Sequence, residues 1–264
     1  MNTCKRWAAG GLSFLYAVIL PIILIAGWWI GSASSTSMFF PPLAQIVEAF
    51  VPTWLEGRFL SDVFPSLGRL LLGFFLALVV GVTLGIVIGL RPLLRAYLEP
   101  VLEFFRAIPP SVLIPVLMLF LGIGTEMKVF VIAFGAVWPI LLNTVEGTRA
   151  IDEVLRDVTR TYRFRPTTRL TTLVLRGASP QIMAGTRQAL ALAVILMVIS
   201  EMFAANNGLG FTIIQFQRNF AVAEMWTGII LLGVIGVLFS LAFRFAERRV
   251  LRWYDGLRRA EKGS

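Results

Sequence analysis

The chain has 264 residues, 57% hydrophobic and only 15% charged, with a mean hydropathy of +0.81 and a net charge of +9. Soluble domains carry about a quarter charged residues, so this is the composition of a membrane protein. There is no histidine, and Cys4 is the only cysteine, which excludes histidine acid–base chemistry, zinc sites of the His/Cys kind and an intrachain disulfide.

The basic residues cluster between and after apolar runs, with no basic stripe carrying interleaved aromatics, so they read as membrane topology and not as a nucleic-acid surface. Lys5 and Arg6 precede an apolar run from about Phe14 to Ile30. That run exceeds the core of a cleaved signal, about 7–15 residues, and further apolar segments follow it. It reads as an uncleaved first span with the N-terminus inside. Residues 32–65 are mixed and polar, with Glu48, Glu56 and Asp62 against Arg58, and are placed outside. Within them Leu43, Ile46, Val47 and Phe50 have helical spacing. They predict a short amphipathic helix, lying on the outer surface or packed as a loop helix.

Leu70 to Leu90 is apolar and long enough to cross a bilayer. Gly81, Gly85 and Gly89 fall four apart on one face of it, a small-residue seam that serves packing inside one subunit or contact between subunits. Arg91, Pro92 and Arg95 form a basic inner turn. The apolar stretch from Phe104 to Leu121 follows, and Pro109, Pro110 and Pro115 predict a kinked or broken helix there. Gly122 to Lys128 reads as a short outer turn. Val129 to Val145 then returns inward, with Trp138 and Pro139 near its middle and Asn143 and Glu146 toward its end.

A fifth span is built on Ala189 to Met202, with Arg187 snorkelling at its inner end. A sixth runs from about Trp226 to Phe243, before a tail carrying Arg244, Arg248, Arg249, Arg252, Arg258, Arg259 and Lys262. The positive-inside rule gives an all-α integral membrane protein with six spans and both termini cytoplasmic. It is expected to form one domain over residues 1–264, with its core over about residues 60–250.

Between the fourth and fifth spans lies a polar loop, residues 149–181, with seven arginines (Arg149, Arg156, Arg160, Arg163, Arg165, Arg169 and Arg176) against Asp152, Glu153 and Asp157. Ile151 to Arg160 has a helical composition, and Pro166 ends any helix near Arg165. Val154, Leu155, Val158 and Tyr162 form an apolar edge that such a short helix cannot bury alone. It lies on the bilayer surface or inserts into a partner's groove. No G-x-x-x-x-G-K-[ST] occurs, and the only lysines are Lys5, Lys128 and Lys262, so no nucleotide triphosphate is held by a P-loop. Glu146 and Glu201 stand isolated, which argues against hydrolytic catalysis, and intramembrane ionisable residues are too few for a proton-coupled carrier. Trp138, Asn143, Met197, Ser200 and Glu201 are the candidates for lining a solute route.

Three stretches carry a resemblance. Phe105 to Gly147 (FRAIPPSVLIPVLMLFLGIGTEMKVFVIAFGAVWPILLNTVEG), Ser66 to Phe74 (SLGRLLLGF) and Ser200 to Ile213 (SEMFAANNGLGFTI) resemble the nitrate, taurine and aliphatic-sulfonate group of binding-protein-dependent ABC importer permeases. The resemblance covers about residues 40–252. It implies a type I importer permease fold in a prokaryotic plasma membrane. It also implies two paired permease subunits, two ATPase subunits that carry ATP and Mg²⁺, and an external binding protein that delivers a small anionic solute. The polar loop resembles the family's coupling helix, which places Asp157, Val158, Thr159, Arg160, Thr161, Tyr162, Arg163 and Phe164 against the ATPase subunit. Asp157-Val158-Thr159 stands where the family has Glu-Ala-Ala, Arg163 where it has glycine, and Pro180 matches the closing proline. Arginine gives up the easy left-handed conformation that glycine offers. Without the resemblance, a secondary transporter or channel working alone, or a membrane scaffold, remains open.

Overall fold

The computed structural model describes residues 19–203, 205–254 and 256, and among these every regular element is helical. The helices are α1 (Ile19–Ser32), α2 (Leu43–Phe50), α3 (Phe64–Gly89), α4 (Pro92–Ala107), α5 (Ile114–Leu121), α6 (Thr125–Arg149), α7 (Glu153–Thr161), α8 (Pro166–Thr168), α9 (Arg176–Phe203), α10 (Leu209–Arg218) and α11 (Val222–Val250). The contacts divide the chain into two units, one of residues up to Phe59 with Ile213–Ile230, the other of Leu60–Thr212 with residues from Leu231 on.

In the first unit, Trp28, Phe40 and Trp226 form an aromatic cluster with ring centroids 5.6–6.3 Å apart. Trp54 is buried on the edge of Phe216, and its indole N–H donates to Thr227 Oγ1 at 2.8 Å. The short helix expected from Leu43 to Phe50 forms as α2, and it does not end there. From Leu43 the chain is helical without a break to Gly89, through a π-helical stretch at Val51–Val63. Leu43, Ile46 and Trp54 are buried while Glu48, Glu56 and Arg58 are not, so the mixed composition is that of a helix with one polar side. Pro65 falls in the first turn of α3, where a missing amide costs least.

The second unit is built on α3, α6 and α9, whose Leu70, Ala77, Ile132, Ala136, Ile140, Ala189, Ala193 and Met197 make the core. Gly81 and Gly85 face α6. A methyl group on Gly81 would stand 2.9 Å from Ile140 and one on Gly85 2.6 Å from Thr144, closer than real Cβ contacts come. Gly73 and Gly89 meet Ile132 and Thr148 in the same register, so the glycine seam packs within the chain.

The proline-rich stretch breaks as the sequence predicts. Ile108 is extended ahead of Pro109, as a residue before proline prefers. α4 and the Pro110–Leu121 segment (a 3₁₀ turn, Pro110–Leu113, followed by α5) meet at 76°. The turn before α6 shrinks to Gly122–Gly124, because Thr125 already starts the helix. Lys128, expected in that turn, is inside α6 and 2% exposed.

Four helices among the described residues are long and apolar enough to cross a membrane, or five if the bent pair is one span. The first expected span corresponds to α1, of which 14 residues are described; residues 14–18 of that expected span lie outside the described residues. Those 14 fall short of the ~20 residues that cross a bilayer.

Candidate functional site

The loop between α6 and α9 folds around α7, which the sequence caps at both ends. The Asp152 carboxylate accepts from the Val154 N–H at 2.9 Å. Glu153 in the first turn and Arg160 in the last complement the helix dipole. At the other end the Phe164 N–H donates to the Thr159 carbonyl and the Arg163 N–H to the Arg160 carbonyl, each at 3.0 Å. This is the Schellman pattern, and Arg163 takes the left-handed position with φ +49°. The turn that a glycine normally makes is therefore formed by an arginine, at a conformational cost of about 1–2 kcal/mol.

One side of α7 is anchored. Thr159 is 7% exposed, with its hydroxyl donating to the Arg156 carbonyl at 2.8 Å. Arg156 in turn donates to the Thr148 carbonyl at 2.6 Å, tying α7 to the last turn of α6. Ile151 packs on Leu173 and Val174. The opposite side is open. Val154, Leu155, Val158, Tyr162 and Phe164 are all exposed, Tyr162 to 74%. Asp157 and Arg160 form only an exposed pair at 3.3 Å, and Thr161 is exposed. Of the eight residues expected at a partner surface, Val158, Tyr162 and Phe164 therefore present apolar surface, whereas Thr159 turns inward and Arg163 shapes the turn.

A second cluster was not foreseen as such. Glu201, expected to be isolated, is fully buried and bound on several sides. It accepts from Arg69 Nη1 at 2.6 Å, from Ser66 Oγ at 2.8 Å and from the Gly210 N–H at 3.1 Å. Arg69, 5% exposed, also donates to the Asn207 carbonyl at 3.1 Å and to its Oδ1 at 2.6 Å. The Asp62 carboxylate accepts from the Gly208 N–H at 2.9 Å, and Ser66 Oγ accepts from the Leu209 N–H at 2.9 Å. Gly208 has φ +121°, and a methyl there would meet the Glu201 carboxylate at 2.5 Å. The cluster thus pins the Asn207–Gly210 segment to α3 and α9. Its signal in the sequence was opposite charges, Arg69 and Glu201, each set beside an apolar span in one of the stretches that carry the resemblance.

A family model described as "Binding-protein-dependent transport system inner membrane component" matches residues 81–253. The chain belongs to this family. It is 29% identical over 248 residues to the putative aliphatic sulfonates transport permease SsuC of Bacillus subtilis (strain 168), covering 92% of this chain and 90% of that protein. It is 31% identical to the bicarbonate transport permease CmpB of Synechococcus elongatus (94% and 93% covered) and 26% identical to the taurine transport permease TauC of Escherichia coli (strain K12; 94% and 93%). Its fold is like that of a chain of the MetNI methionine ABC transporter in inward-facing conformations, with a TM-score of 0.63 at 21% identity over 72% of this chain and 94% of that one.

This permease is a multi-pass inner-membrane subunit of an ABC importer, and ATP hydrolysis belongs to a separate subunit of such systems. Its candidate route residues separate into two groups. Trp138 and Asn143 line an open cavity of about 390 Å³ with Arg106, Pro110, Gln188 and Leu192. Asn143 there donates to the Pro139 carbonyl at 2.8 Å, the proline-containing turn of α6. Met197, Ser200 and Glu201 do not reach it. All three have no exposure, Met197 in the core and Ser200 donating to the Met197 carbonyl, because their side of α9 faces the other helices of the unit.

Proposed function

We propose that this permease passes a small anionic solute and takes its drive through α7, seated in a groove of the ATPase subunit. The observation that carries the reading is the open apolar ridge of Val154, Leu155, Val158 and Tyr162 on a helix whose other side is anchored to its own chain. A nine-residue helix with that ridge in water has a reason to exist only if something covers it. Movement of the groove is then delivered to the last turn of α6 through Arg156 and to Leu173 through Ile151. ATP and Mg²⁺ are held by the ATPase subunit, a second identical copy completes the pathway, and both termini face the cytoplasm. An external binding protein supplies the solute.

The solute class rests on the relatives, whose names assign aliphatic sulfonates, taurine, bicarbonate and nitrate. Trp138 and Asn143 stand on its route, at a cavity lined also by Arg106, which pairs with Glu103 at 2.7 Å. In the test, Val158→Glu with Tyr162→Glu is introduced into the permease expressed with its ATPase. Expected is loss of ATPase co-purification and of uptake, with the amount of folded permease unchanged. Unchanged association would remove α7 as the coupling element. Competition of uptake by taurine, an alkanesulfonate, nitrate and bicarbonate assigns the solute.

A further inference from the structure

The largest cavity described lies between α9 and the inner part of α11, about 790 Å³ in volume. Its walls change character along their length. At one end stand Arg187, Arg244, Glu247 and Arg248; along the rest run Leu190, Val194 and Ile195 from α9, with Gly236 and Ser240 from α11. From Arg187 to Ile195 is eight residues of helix, about 12 Å. Arg187 is bonded to Glu247, the one acid on the cavity wall. Arg244 and Arg248 have no carboxylate partner among the described residues, so among those residues the charged end of the cavity carries an excess of basic groups.

We propose that this cavity holds an anionic phospholipid of the cytoplasmic leaflet. Its phosphate rests on Arg244 and Arg248, and its acyl chains run along Leu190, Val194 and Ile195. A cavity charged at one end and apolar for about 12 Å beyond matches an amphiphile better than it matches the two alternatives. A free inorganic anion has no use for the apolar walls. A second copy's transmembrane helix, apolar in its middle, has no use for Arg244 and Arg248. The charged end also lies where basic residues of this chain concentrate after the last span, the level of the inner headgroups. The inference does not depend on what the permease transports.

The test uses the full chain assembled with its ATPase subunits in mild detergent and examined by native mass spectrometry. The probes are phosphatidylglycerol, phosphatidylethanolamine and inorganic phosphate. Phosphatidylglycerol is expected to be retained, and R244Q with R248Q to lower its retention roughly 30-fold, the effect of two basic residues at an anionic surface. R249Q with R252Q makes the same charge change outside the cavity and is expected to leave retention within about twofold. Equal loss in both pairs would mean general attraction to acidic lipid and would overturn the site. Displacement of the lipid by millimolar inorganic phosphate would overturn it in favour of a simple anion site. In a Cys4→Ser background, Ser240→Cys places the only thiol on the cavity wall. Ready disulfide formation between two copies there would put the second subunit in the cavity and not a lipid.

Discussion

The α7 loop and the Arg69–Glu201 cluster are both polar islands in an apolar chain, and they are finished to opposite degrees. In the cluster, the buried carboxylate accepts from Arg69, Ser66 and Gly210, the guanidinium donates also to Asn207, and the cluster's hydroxyl and amides are engaged within the same unit. At α7 one side is tied down by Thr159 and Arg156, while an apolar ridge is left in water. A saturated site answers to the stability of its own chain. An unsaturated one answers to another molecule. Substitutions should therefore separate cleanly by readout, stability for the first and association for the second.

The largest effect belongs to Glu201→Ala, which leaves the Arg69 guanidinium buried without its counter-charge. A loss of about 3–5 kcal/mol is expected, seen as a collapse of thermal stability in detergent. The double replacement Arg69→Met with Glu201→Leu should cost less than the sum of the single changes, since no lone charge is left behind. Next comes Gly85→Leu, which has no room against Thr144 and is expected to cost about 1–3 kcal/mol by the same measurement. Tyr162→Ala should leave the melting temperature alone and weaken ATPase binding by about 2 kcal/mol, near 30-fold, by titration of the detergent-purified subunits. A fall in melting temperature instead would mean that the ridge is part of the fold, and the contrast would be lost. The smallest effect is a gain. Arg163→Gly removes the left-handed strain and should protect the Phe164 amide by about 1 kcal/mol in hydrogen exchange.

Helices were legible in the sequence wherever one constraint dominated. Apolar length gave the spans at α3, α6, α9 and α11, two adjacent prolines gave the break before α5, and the composition of Ile151–Arg160 gave α7, which ends at Thr161 ahead of the stop expected near Arg165, while Pro166 opens α8. What was not legible depended on partners far apart in the chain. The helix read at Leu43–Phe50 runs on through residues 51–63, where polar and apolar residues alternate irregularly, and only the burial of Trp54 against Phe216 and Thr227 shows which side faces in. Glu201 looks like a solvated span end because Arg69 lies 132 positions away. Met197 and Ser200 looked like cavity residues from their chemistry, but which side of α9 they occupy is settled by packing. Arg163 is the reverse case. The sequence identified the position where a glycine was missing, and the chain makes the same turn regardless.

The glycines of α3 have a mechanical consequence. At Gly81, Gly85 and Gly89 the neighbouring helix is seated in notches about one turn apart, and at Gly73 in another about two turns before Gly81. Sliding α3 by a turn, about 5.4 Å, would have to lift Ile132, Ile140, Thr144 and Thr148 out of their notches together. The two helices therefore travel as a single plank. The 76° elbow ahead of α5 and the inner part of α11, little of which is buried, lie outside that interlocked seam.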